Sequence, residues 1–198
     1  MFLYLFNMIN IRNITDPNYR YKMSPIDSYQ TSNGCFTIIK NLDIIASQLG
    51  HNPKTILKFM ALSLGCKDIP DKMAVSGQFS QENLQELIYN YVNSFVLCKR
   101  CLIPELEYKD TSKKKNKILH HHCLSCGYTY EIYSKDLTRK YQKTLEKIII
   151  DVNNNLLKSI KTKSIQKNII DNKLTEESKD FSIDKKLRVP DTFEDDLF

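Results

Sequence analysis

Two cysteine pairs are the most chemically specific feature of this 198-residue chain. Cys98-Lys-Arg-Cys101 and Cys123-Leu-Ser-Cys126-Gly127 are separated by 21 residues, close to the spacing of four-cysteine zinc ribbons. Each Cys-x-x-Cys wraps a tight turn that can aim both thiolates at one ion, and the glycine after Cys126 permits the left-handed backbone such turns use. Four thiolates, Cys98, Cys101, Cys123 and Cys126, would close the tetrahedron around one structural Zn2+ and leave no position for a reacting water. The competing readings are a redox pair or unrelated thiols, and two spaced pairs are far more specific for a metal than one. His120, His121 and His122 precede the second pair, either as a half-exposed strand of the ribbon or with one of them standing in for a cysteine. Cys35 and Cys66 lie in apolar contexts and read as small buried side chains.

Positive charge gathers at the same place. The chain has 29 basic and 23 acidic residues, a net +6, and residues 98–147 alone carry 12 basic and 6 acidic ones. Lys99, Arg100, Lys113, Lys114, Lys115 and Lys117 surround the cysteine pairs, either as a surface for RNA phosphates or as a solvated loop in a lysine-rich chain. The chain is rich in Lys (24), Ile (22) and Asn (16), the bias of A/T-rich coding, so a lysine says little by itself. Only 5 residues are Arg, which makes each arginine more informative.

These groups need elements to position them. Residues 1–34 have no sustained period and contain Pro17, Pro25, Asn33 and Gly34, the marks of an extended arm ending in a turn. Residues 35–97 read as an α+β core. A strand over Thr37–Lys40 precedes a helix with Leu42, Ile44, Ile45 and Leu49, stopped by Gly50, and Asn52-Pro53 starts a helix that Gly65 ends. Met73–Phe79 is a strand with a bulge or turn at Gly77, Ser80 caps a helix carrying Leu84, Leu87, Ile88 and Tyr91, and a strand Phe95–Leu97 runs into Cys98. Glu105–Asp110, Lys117–His122 and Tyr128–Tyr133 supply three strands of a ribbon over residues 98–133. Residues 134–198 read as a basic helix through Leu137, Tyr141, Leu145 and Ile148 to Ile150, interrupted at Asn153, and then a weakly ordered tail ending in Phe193-Glu-Asp-Asp-Leu-Phe198. The expected fold is α+β, a small mixed sheet with helices followed by a C-terminal four-cysteine zinc ribbon. No catalytic constellation is visible in the core, which points away from an enzyme. The apolar Met1–Met8 lacks a basic start and a cleavage site, and no run approaches the roughly 20 apolar residues of a membrane span, so a cytoplasmic protein is expected.

The stretches Thr37-Ile-Ile-Lys-Asn-Leu-Asp-Ile-Ile-Ala46, Leu57-Lys-Phe-Met-Ala-Leu-Ser-Leu-Gly65, Gly77-Gln-Phe79 and Tyr91-Val-Asn-Ser-Phe-Val-Leu-Cys98, followed by the ribbon, assemble into one pattern over residues 12 to 133. That pattern resembles the domain shared by the beta subunit of translation initiation factor 2 and by eukaryotic translation initiation factor 5. Asp16-Pro-Asn-Tyr-Arg20-Tyr-Lys-Met23 is similar to the segment that opens factor 5, and Asn33-Gly34 falls at that factor's own Asn-Gly turn. The resemblance to factor 5 implies a GTPase-activating protein acting in trans on the GTP-bound gamma subunit of initiation factor 2, in a complex with the small ribosomal subunit and initiator tRNA. It makes Arg20 the arginine-finger candidate, since a guanidinium stays charged and forks onto phosphate oxygens. Lys58 matches a lysine that the family associates with the same activity, or is an ordinary solvated cation. Phe36 stands where the family has a further lysine, and Ile26–Ser32 lacks the usual basic and glycine residues, both of which would weaken activation. The family's large C-terminal helical-repeat domain has no counterpart in residues 134–198, and the alignment favours a start at Met8 over Met1. Two alternatives stay open: a non-activating module similar to the beta subunit that binds or competes for the gamma subunit, and a transcription-type ribbon that binds DNA.

Overall fold

The computed structural model describes residues 8–32, 34–113 and 116–158. The expectations about the start at residues 1–7, about Asn33, Lys114 and Lys115, and about the tail from residue 159 lie outside them.

Short-range signals account for the helices. Helix α1 (Leu42–Leu49) ends on Gly50 at φ 66°. Helix α2 (Pro53–Leu64) begins with proline at its first position, and the Asn52 side chain accepts the Lys54 N–H at 3.0 Å. Helix α3 (Gln81–Phe95) is capped by Ser80, whose hydroxyl accepts the Asn83 N–H at 3.3 Å. Leu84, Ile88, Tyr91, Val92 and Phe95 are buried along one stripe of α3. Phe95 completes that stripe, and the Val96 and Leu97 N–H groups both turn back to the Val92 carbonyl. The expected strand Phe95–Leu97 is therefore the end of a helix, because its apolar run serves the 3.6-residue period.

Among the described residues, six short strands precede the ribbon. β1 (Ile9–Asn10) pairs with β2 (Lys22–Met23). β3 (Ser28–Gln30), β4 (Phe36–Ile39), β5 (Asp68–Ile69) and β6 (Ala74–Ser76) form a sheet in the order β3-β4-β6-β5. The α+β class stands, but the expected mixed sheet has only antiparallel pairings. Its β3–β4 and β5–β6 connections are too short for the crossover that parallel neighbours need. The expected arm differs as well. β3 belongs to the core sheet, and Ile11, Tyr21, Met23 and Ile26 are buried, so this segment folds against the core instead of extending from it.

The ribbon strands β7 (Leu106–Asp110), β8 (Ile118–Cys123) and β9 (Thr129–Tyr133) run in chain order, within one residue of their expected starts and ends. Helix α4 (Arg139–Asn153) starts after a single 3-10 turn at Ser134–Asp136. Leu145, Ile148 and Ile149 are buried along α4, which packs on α2. Near its end the buried Asp151 carboxylate accepts from the Asn52 amide at 2.9 Å and from the Thr55 hydroxyl, while Asn153 donates to Asp110 of β7 at 3.0 Å. One helix thus grips both the core and the ribbon.

A second link is His51, between α1 and α2. The Tyr108 hydroxyl donates to the Phe95 carbonyl at 3.1 Å, so it must accept from His51 Nε2–H, 3.0 Å away. Nδ1 is then the acceptor for Tyr91, whose hydroxyl lies at 2.8 Å. This directed chain requires a neutral ring, and burial pushes the His51 pKa down to about 3.

Candidate metal centre and arginine loop

The two cysteine turns are built alike. Leu102 N–H returns to the Cys98 carbonyl at 2.9 Å, and Gly127 N–H returns to the Cys123 carbonyl at the same distance. The residue that closes each turn is left-handed, Leu102 at φ 58° and Gly127 at φ 68°. The first turn therefore places a β-carbon where the second uses glycine, a conformation costing an L-residue roughly 1–2 kcal/mol.

All four sulfurs lie within 4.8 Å of one another. Cys98 and Cys126 are 3.8 Å apart and Cys101 and Cys123 are 3.6 Å apart, too long for disulfides. A tetrahedron with Zn–S bonds of about 2.3 Å has edges of about 3.8 Å, so the donor set fits zinc in number, chemistry and size. The Tyr128 N–H draws the Cys126 thiol down to about 7, whereas burial drives Cys101 up to about 12. The Arg100 N–H reaches the Cys98 sulfur at 3.4 Å. None of the three histidines joins this group among the described residues. His121 is fully buried, stacked on Tyr130 at 4.6 Å with its Nδ1 3.2 Å from the Leu119 carbonyl, and His120 lies 3.8 Å from Glu131. The half-exposed-strand reading holds for His120 and His122, but not for His121.

Cys35 is exposed and Cys66 half-buried, against the expectation for both. Cys35 precedes β4 at the end of the sheet, where the core no longer covers it. Lys99 lies over the Tyr130 ring at 5.0 Å and Arg100 over Tyr128 at 6.0 Å, so the basic residues of the first turn face aromatic rings. Lys113 and Lys117 are exposed.

Arg20 is exposed on the loop that joins β1 to β2, and makes no ion pair among the described residues. The loop is braced from within. Asn10 donates to the carbonyls of Ile14 at 2.8 Å and Asp16 at 2.7 Å, Asp16 accepts the Asn18 N–H at 2.9 Å, and Lys22 donates to the Pro17 carbonyl at 3.1 Å. On one side of Arg20 the half-buried Tyr19 meets Tyr21 edge-on at 5.8 Å. On the other, the buried Tyr21 donates its hydroxyl to Glu105, beside the first cysteine turn. Lys58, on α2, is paired with Asp68 of β5 at 2.7 Å, and its charge is engaged within the fold. Phe36 has Lys72 5.9 Å from its ring centroid, so a cation stands near the position where the resemblance leads one to expect lysine. Sequence reasoning missed Tyr21, Glu105, His51 and Asp151. Only the aromatic flanks of Arg20 could have pointed to the first of these.

A family model described as a domain found in initiation factor 2B and initiation factor 5 matches residues 11–129. The probable eukaryotic translation initiation factor 5 of Schizosaccharomyces pombe is 35% identical over 127 residues, covering 61% of this chain and 32% of that protein. Eukaryotic translation initiation factor 5 of Saccharomyces cerevisiae is 34% identical over 126 residues, 60% of this chain and 30% of that protein. Translation initiation factor 2 subunit beta of Archaeoglobus fulgidus is 32% identical over 96 residues, 48% of this chain and 67% of that protein. The chain spans about a third of the length of the factor 5 relatives it matches. Helix α4 lies beyond the matched span.

Proposed function

From a chain that belongs to the family of translation initiation factor domains found in factors 2B and 5, we propose a factor that stimulates GTP hydrolysis by GTP-bound initiation factor 2, with Arg20 as the arginine finger. The observation that carries this reading is the exposed Arg20, without an ion pair among the described residues, on a loop braced by its own hydrogen bonds and by Tyr21. A guanidinium presented this way can be inserted beside a nucleotide bound to the gamma subunit, where it neutralises charge developing on the transferred phosphoryl group. Preorganisation matters because catalysis by positioning depends on the approach geometry. The chain itself binds no nucleotide in this scheme. It is an activator in trans, working in the cytoplasm on the small ribosomal subunit with initiator tRNA. Lys58 would contribute as a secondary cation only by exchanging Asp68 for phosphate.

Cys98, Cys101, Cys123 and Cys126 would hold one structural zinc ion, which supplies cross-linking of the two turns and no reaction chemistry. Lys99, Arg100 and Lys113 to Lys115 would contact RNA phosphate.

A second reading has its own support: the match spans 67% of the archaeal beta subunit. On that reading the chain occupies the gamma subunit as a beta-like module without activating it. Single-turnover GTP hydrolysis in reconstituted initiation complexes separates the two. Activation predicts acceleration by the wild type and a loss of about 10³-fold with Arg20→Ala. Equal rates with and without the protein defeat it, and stoichiometric capture of the gamma subunit without acceleration favours the beta-like module. Metal analysis of the purified protein tests zinc separately, with one equivalent expected.

A further inference from the structure

Between the last turn of α3, strand β9 and the start of α4 lies a groove of about 260 Å³. Phe95 and Ile132 are buried in its lining, Leu137 and Tyr141 are half-exposed there, and Asn93 and Lys99 are exposed at its edge. Small-molecule sites run to about 300–1,000 Å³, so this one suits a single large side chain, the kind of anchor that carries peptide recognition.

One cation lines the groove, Lys99 from the first cysteine turn. A second, Lys140, lies just outside the lining, 4.9 Å from the centroid of the Tyr141 ring and 5.9 Å from that of Phe59. Neither makes an ion pair among the described residues. From Ser134 to Lys143 the chain carries Lys135, Arg139, Lys140 and Lys143 against Asp136 alone. An apolar slot with uncompensated cations beside it is complementary to an apolar side chain flanked by carboxylates.

We propose that this groove docks an acidic peptide segment through one large apolar side chain, preferably aromatic. The anchor fills the slot over Phe95, Ile132 and Leu137. Neighbouring Asp or Glu carboxylates pair with Lys140 and with Lys99, which a bound peptide would take from the RNA-contacting set, and the exposed Asn93 amide can hydrogen-bond the peptide backbone. The slot suits a peptide better than a nucleic-acid base. Its aromatic rings, Phe95 and Tyr141, are tilted against each other at 5.9 Å and 45°, and do not present the open flat face that base stacking uses. The site involves neither Arg20 nor the sulfur cluster, and stands whether or not the chain activates GTP hydrolysis.

The test uses the full zinc-loaded chain and fluorescein-labelled acetyl-Glu-Asp-Phe-Asp-Glu-amide in an anisotropy titration. Saturable binding is expected, weakened about 10-fold or more by replacing the peptide's Phe with Ala and, separately, by the double variant Lys99→Glu and Lys140→Glu. Leu137→Arg, which fills the slot from a half-exposed position, should abolish binding while zinc content and circular dichroism stay unchanged. Methyl chemical-shift changes at Ile132 and Leu137 locate the site independently of any variant. No saturation by about 1 mM peptide, or binding indifferent to the Phe or to the charge reversal, overturns the proposal. It is equally overturned if oligouridylate binds with the same dependence and displaces the peptide, or if Leu137→Arg instead dissolves a dimer of this chain seen in sedimentation.

Discussion

The Tyr21 hydroxyl donates a hydrogen bond to the Glu105 carboxylate, and so ties the residue next to Arg20 to the ribbon four positions after Cys101. The loop that presents the guanidinium and the turn that presents the first two cysteine sulfurs are thereby linked through one side-chain hydrogen bond.

Tyr21→Phe removes that bond and leaves the buried ring in place. A hydrogen bond to a carboxylate contributes about 1–3 kcal/mol, and a loss of that order is expected in urea denaturation. If Arg20 is the finger, its approach loosens too. Stimulated GTP hydrolysis should fall about 10-fold with binding to initiation factor 2 unchanged. An unchanged rate would show that the Tyr21 bond does not position Arg20.

Asp151→Ala leaves Thr55 and Asn52 without their carboxylate and removes a negative charge from the N-terminus of α2. The expected cost is about 2–4 kcal/mol, with Asp151→Asn cheaper because one oxygen acceptor remains. Hydrogen exchange should quicken at Thr55 and at the α4 amides, since the gripped helix end is released.

The buried His51 makes stability depend on pH. Its pKa is about 3 in the fold and about 6.5 unfolded, so between those values the unfolded chain binds the extra proton. The stabilisation is fully present above pH 6.5 and is lost as pH falls toward 3, by up to about 1.4 kcal/mol per unit. Urea midpoints measured from pH 7.5 to 5 should fall less steeply in His51→Asn than in the wild type. Parallel slopes would mean that the directed Tyr91–His51–Tyr108 chain does not govern acid stability.

The two cysteine turns offer a comparison inside one molecule. A β-carbon added at Gly127 meets nothing within 4 Å, so Gly127→Ala isolates the left-handed backbone penalty. About 1–2 kcal/mol should be lost, read as a lower denaturation temperature of the metal-loaded protein. Leu102→Gly relieves the same strain in the other turn, and is expected to gain about 0.5–1 kcal/mol less whatever packing the leucine supplies.

Where a cap, a turn or a chelating pair decides a residue's state, the sequence alone was sufficient. Asn52-Pro53 and Gly65 bound α2, Ser80 starts α3, and the Cys-x-x-Cys spacing brings four sulfurs together, because caps, turns and chelating pairs act over a few residues. Period reading failed at Phe95–Leu97, a run too short to distinguish a strand from the end of a helical stripe. The tertiary structure decided what depends on distant partners. It folded the expected arm onto the core through Ile11, Tyr21 and Met23, joined Tyr21 to Glu105 across 84 residues, and set Asp151 against Thr55 across 96. A carboxylate in a sequence does not announce which hydroxyl it will accept from, since that pairing follows from burial, and burial belongs to the packed molecule. For the same reason four cysteines could be grouped from their spacing, whereas the hydrogen bonds that brace the loop bearing Arg20 became visible only in the fold.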